Sequence, residues 1–64
     1  MKLFDFISVI SADEVVQVRN DEHTLYFGNV RNVYDAFSTN EMKSLNVTYV
    51  FTGFSGLIID VSGS

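Results

Sequence analysis

Apolar residues recur along this chain at two different spacings. Near the start, Leu3, Phe4, Ile7 and Ile10 fall on one stripe of a helix while Asp5 and Ser8 lie off it, which predicts a helix over residues 2–10. Asp5 sits in its first turn, where the helix dipole favours a negative charge. The pattern breaks at Ser11-Ala12-Asp13-Glu14. Ser11 and Glu14 have capping-box spacing, yet Val15-Val16-Gln17-Val18 is mainly β-branched, so a turn leads into a first strand over 14–19. The polar run Arg19-Asn20-Asp21-Glu22-His23 makes a turn, and Thr24-Leu25-Tyr26-Phe27 resumes strand character. This is a hairpin, its second strand reaching Val30 with a bulge or bend at Gly28.

The second half repeats the theme. Asn32 is an N-cap candidate with Asp35 three residues on, and Val33, Ala36 and Phe37 share a helical face, so a helix is expected over 33–38. Ser38 and Glu41 repeat the capping spacing, which puts a further helical turn over 40–45 with Met42 and Leu45 as its apolar contacts. From Asn46 to Thr52 the residues alternate, Val47, Tyr49 and Phe51 against Thr48, Val50 and Thr52. Gly53-Phe54-Ser55-Gly56 is a turn, and Leu57, Ile59 and Val61 form the core face of a last strand. The expected architecture is one α+β domain, residues 1–64, in the order α-β-β-α-β-β. Two hairpins merge into a four-stranded antiparallel sheet with helices on one face. Phe4, Phe27, Phe37 and Tyr49 are expected in the core, and Tyr26 and Phe54 outside it.

Composition narrows what such a domain can do. A chain of 64 residues buries only about 60% of its unfolded surface, so its stability margin is thin. It has no cysteine and one histidine, so neither disulfides nor a thiolate metal cluster is expected to support it. With 47% hydrophobic residues and nine aromatics (six Phe, three Tyr), it is too apolar for a disordered chain. A formal charge of −4 argues against a nucleic-acid interface and against an anionic membrane surface. No apolar run approaches the roughly 18 residues of a membrane span, and Met1–Ile7 lacks the marks of a signal peptide, so a cytoplasmic protein is expected. Asn46-Val47-Thr48 matches a glycosylation pattern that has no use without secretion.

Candidate chemistry is sparse. His23 beside Asp21 and Glu22 could suggest a metal ligand or a general base, but consecutive turn residues diverge and no second histidine completes a site. Gly53-Phe54-Ser55-Gly56 has the form of a nucleic-acid G-x-x-G clamp but lies between strands without basic neighbours. It also lacks the spacing of a serine nucleophile elbow. No catalytic residue, metal or cofactor is expected. Asp13, Glu14, Asp21 and Glu22 bracket the first strand, either as ordinary turn residues or as an acidic surface imitating phosphates. The aromatic excess points further. Tyr26 and Phe54, exposed on a monomer, would suit an interface. Asp13, Glu14, Asp21, Glu22, Tyr26 and Phe54 are therefore the expected partner-binding residues, and a homodimer through the sheet face carrying Tyr26 and Val50, or through a strand edge, is expected.

The layout resembles short proteins encoded by phages, prophages and other mobile elements of low-GC Gram-positive bacteria. The resemblance lies in the opening Lys2-Leu3-Phe4-Asp5-Phe6-Ile7-Ser8-Val9-Ile10, the Asp13-Glu14 turn before Val15-Val16-Gln17-Val18, and Leu25-Tyr26-Phe27-Gly28-Asn29-Val30. It continues in Leu45-Asn46-Val47-Thr48-Tyr49-Val50 and Leu57-Ile58-Ile59-Asp60-Val61. The chain departs from that pattern in having no proline and no glycine between the strands of its first hairpin. The resemblance implies a non-catalytic, protein-binding accessory role, in its sharpest form inhibition of a host defence system in the manner of an anti-CRISPR. The alternative is a self-associating structural or regulatory module.

Overall fold

The computed structural model describes residues 1–21 and 23–63. Its elements are α1 (Leu3–Ser8), β1 (Val15–Asn20), β2 (His23–Asn29), a 3-10 turn (Val30–Asn32), α2 (Val33–Ala36), α3 (Thr39–Ser44), β3 (Asn46–Thr52) and β4 (Leu57–Ser62). The fold is α+β, with a four-stranded sheet in the order β2-β1-β4-β3.

The sheet is mixed, which corrects the expectation of a purely antiparallel one. β1 pairs antiparallel with β2, and β3 with β4, but β1 and β4 run parallel at the centre. The reason lies in the connection between the hairpins. β2 ends beside the start of β1, since Asn29 opposes Val15. The 3-10 turn, α2 and α3 then carry the chain back along the sheet before β3 begins. A connection of that length lets the second hairpin run in the same sense as the first. The two central places go to the strands that contribute the buried residues Val16, Val18, Ile59 and Val61.

Those four join Leu3 and Ile7 of α1, Val30, Val33, Phe37 and Met42 in one buried cluster. Phe4, Leu45 and Leu57 are half-buried against it. The helices are too short to persist alone, so this shared apolar contact stabilises them. α3 is also capped: the Ser38 hydroxyl accepts from the Glu41 amide at 3.2 Å, and the Glu41 carboxylate accepts from the Ser38 amide at 3.0 Å. Asn32 makes no such bond at α2, contrary to the expectation from its spacing with Asp35. The Ser11–Glu14 segment is a turn, as expected, closed by the Glu14 amide donating to the Ser11 carbonyl.

Each edge strand carries one extra residue. On β2 it is Leu25, since Val18 opposes Tyr26 while Arg19 opposes Thr24. On β3 it is Thr48, since Val61 opposes Val47 while Asp60 opposes Tyr49. A bulge resets the alternation of side chains beyond it. Val47 and Val50 therefore share the core face, and Tyr49 and Phe51 turn the other way. Tyr26 likewise faces the core, half-buried, with its ring edge-on to Phe37 at 6.5 Å and its hydroxyl donating to the Asn29 carbonyl at 2.6 Å. Gly28 makes room for that ring, because a Cβ there would meet the Tyr26 hydroxyl.

Candidate interaction face

On the face of the sheet turned away from the buried cluster, strand register sets the side chains in rows. One row reads Phe27, Gln17, Ile58, Phe51 across the order β2-β1-β4-β3; the next reads Thr24, Arg19, Asp60, Tyr49. Phe27 is 59% exposed and Tyr49 62%. The Tyr49 and Phe51 rings pack together with centroids 5.4 Å apart, and the Arg19 guanidinium lies 5.3 Å from the centre of the Phe51 ring. The surface is therefore aromatic at both edges and polar at its centre.

The centre is an ion pair. Arg19 Nε donates to Asp60 Oδ1 at 2.9 Å and a terminal nitrogen donates to Oδ2 at 3.3 Å, a two-point contact between half-buried groups on the parallel strands. Beside it the Gln17 amide donates to the Thr24 hydroxyl at 2.9 Å. Both contacts satisfy polar groups within the face.

At the end of the face nearest the β3–β4 turn lies an open groove of about 210 Å³. Val15, Gln17, Phe27, Ile58 and Phe54 of the turn are among the residues that line it. Phe54 is fully exposed. Gly56 holds the turn against β1: its φ is +147°, and a Cβ would run into the Val15 carbonyl.

The structure brings few of the expected binding residues together. Phe54 is exposed, as expected. Tyr26 is not an exposed contact but part of the core side, because the Leu25 bulge turns it inward. Phe27 and Tyr49, expected in the core, stand outside for the same kind of reason. The face carrying Tyr26 and Val50 is thus the covered one, which corrects its expected use for dimerisation. Asp13 and Glu14 are exposed at the groove end of β1, with Asp13 paired to Arg31. Asp21 is exposed at the opposite end, and Glu22 lies outside the described residues. The acids therefore flank the aromatic face from two ends and form no single patch. Arg19, Phe51, Ile58 and Asp60 went unmarked as site residues. The alternation of Val16 and Val18 around Gln17 and Arg19 was the available signal for Arg19, whereas its pairing with Asp60 depends on strand order. Among the described residues no group of three potential metal ligands converges, and no helix is long and apolar enough to cross a membrane. Compared with known proteins, the chain matches no family model, no curated protein and no solved structure.

Proposed function

We propose that the protein is a small non-catalytic binding module that engages another protein through the open aromatic face of its sheet. The observation that carries this is the exposure of Phe27 and Tyr49 at opposite edges of one sheet face, with Phe51 packed beside Tyr49 and Phe54 at its end. Exposed aromatic side chains on a sheet face are what protein interfaces are enriched in, and they are costly to leave in water. In this reading the helices cover one face of the sheet and leave the other for the partner. Arg19 and Asp60 arrive already paired, so their orientation costs little ordering on binding.

The resemblance to phage and mobile-element proteins supports a sharper form, inhibition of a host defence protein in the cytoplasm. There the exposed acids Asp13, Glu14 and Asp21 would meet a basic partner beyond the rim of the face. The charge balance of the face itself favours a second reading, a self-associating module. Capture from host lysate on immobilised protein tests the interface: Phe27→Ser with Tyr49→Ser should abolish capture while the far-ultraviolet spectrum is retained. Undiminished capture by that folded variant would move the interface elsewhere.

A further inference from the structure

We infer that the open face is built to pair with a second copy of this chain, sheet against sheet, about a two-fold axis running along the β1–β4 seam. The inference rests on reading this face as an interface and names its occupant.

Charge comes first. The chain carries −4, yet the described charges that belong to the two rows of the face are Arg19 and Asp60, which cancel. Asp5, Asp35 and Glu41 lie on or beside the helices, and Asp13, Glu14 and Asp21 at the strand ends. An acidic chain repels its own copy through most surfaces. This face is the neutral exception.

The row pattern supplies the second argument. A two-fold axis parallel to the strands, between β1 and β4, places β2 of one copy over β3 of the other and β1 over β4. The row Phe27-Gln17-Ile58-Phe51 then meets itself reversed, aromatic on aromatic at both edges. In the neighbouring row, Arg19 of each copy comes to lie over Asp60 of the other, so the two ion pairs form a closed square of alternating charge. The same operation carries Phe54 of each copy toward the groove-lining Val15 and Phe27 of the other. Isologous pairing requires a surface to be its own complement, and the aromatic edges of the first row and the Arg19–Asp60 contacts of the second meet that requirement, while Gln17 lies over Ile58 between them. Packing with the strands aligned to within about 30° and the sheets about 10 Å apart is the ordinary geometry of such sandwiches.

Area is the third. Four strands at a spacing of about 4.8 Å and some six residues long at about 3.3 Å each give a footprint of roughly 19 by 20 Å. With side-chain relief, each copy would bury on the order of 600 Å², so the pair reaches about 1,200 Å², the lower bound of stable specific interfaces. The expected result is a reversible dimer in the micromolar range.

Light scattering and sedimentation equilibrium on the full chain, from low to high micromolar, test it. The unaltered protein should pass from monomer to dimer, and Phe27→Ala should raise the dimer Kd by roughly tenfold or more, since each interface loses the ring twice. Arg19→Asp and Asp60→Arg should each be monomeric, and an equimolar mixture of the two should form a heterodimer, because each introduced charge then faces its opposite. A monomer throughout the range, a dimer indifferent to Phe27→Ala, or folded single variants that stay apart when mixed would each overturn the pairing. If the charge variants do not fold, Phe27→Ala alone decides. A monomer whose capture of a lysate partner still depends on Phe27 and Tyr49 would overturn the self-pairing and leave the interface reading standing.

Discussion

Phe27 and Ile59 are both large apolar residues on strands, and their surroundings set opposite expectations. Ile59 is fully buried beneath the helices' apolar contacts, so Ile59→Ala should cost about 2–5 kcal/mol in urea unfolding. Phe27→Ala, measured in dilute monomer, should shift stability by less than about 0.5 kcal/mol, because its ring is mostly in water already. Equal losses for the two would mean the faces are assigned backwards. Gly56 offers a second contrast. Its φ of +147° and the Val15 carbonyl behind it leave no space for a side chain, so Gly56→Ala should cost about 1–3 kcal/mol. Gly63→Ala, with nothing nearby, should be silent in the same thermal melts. Ile59 and Phe37 were legible from periodicity. Phe27, Tyr49 and Tyr26 were not, because a bulge leaves no mark in composition and shifts every side chain beyond it by one face.

At the scale of elements, the two capping signals assigned to helix starts meet different fates. Ser38 and Glu41 exchange both bonds of a capping box, whereas Asn32 caps nothing. Ser38→Ala should therefore lower stability by about 1 kcal/mol and Asn32→Ala by far less, a difference readable in paired urea titrations. Hydrophobic spacing marked α1 and the four strands, β3 at Asn46–Thr52 among them, whereas the expected order α-β-β-α-β-β and a second strand reaching Val30 give way to a 3-10 turn at Val30–Asn32 followed by both α2 and α3. Bulge positions were not legible: Gly28 drew the expectation, and Leu25 took the bulge. The glycine serves instead to let the Tyr26 ring lie across the strand. Bulges on edge strands also twist the exposed ladder, which discourages indiscriminate pairing there. The β3 edge is further covered where Val47 donates to the Met1 carbonyl at 2.8 Å. Blunted edges of this kind are consistent with the proposed use of the open face rather than an edge for association.

For the whole molecule, the order of strands decides which residues meet on the open face. Arg19 and Asp60 lie 41 positions apart and meet because the central strands run parallel. That arrangement depends on the path of residues 30–45 across the sheet, a property of the folded chain that local spacing does not encode. The same path leaves one sheet face aromatic and neutral and distributes the acids around it. Hydroxyl-radical footprinting tests this division most directly. In dilute protein Phe27, Tyr49 and Phe54 should be labelled heavily and Phe37 sparingly, with Tyr34 on the helical side as an exposed reference. On raising the concentration, or on adding a captured partner, labelling of Phe27 and Tyr49 should fall while Tyr34 stays constant. Protection of Tyr34 with Phe27 and Tyr49 unchanged would contradict the account.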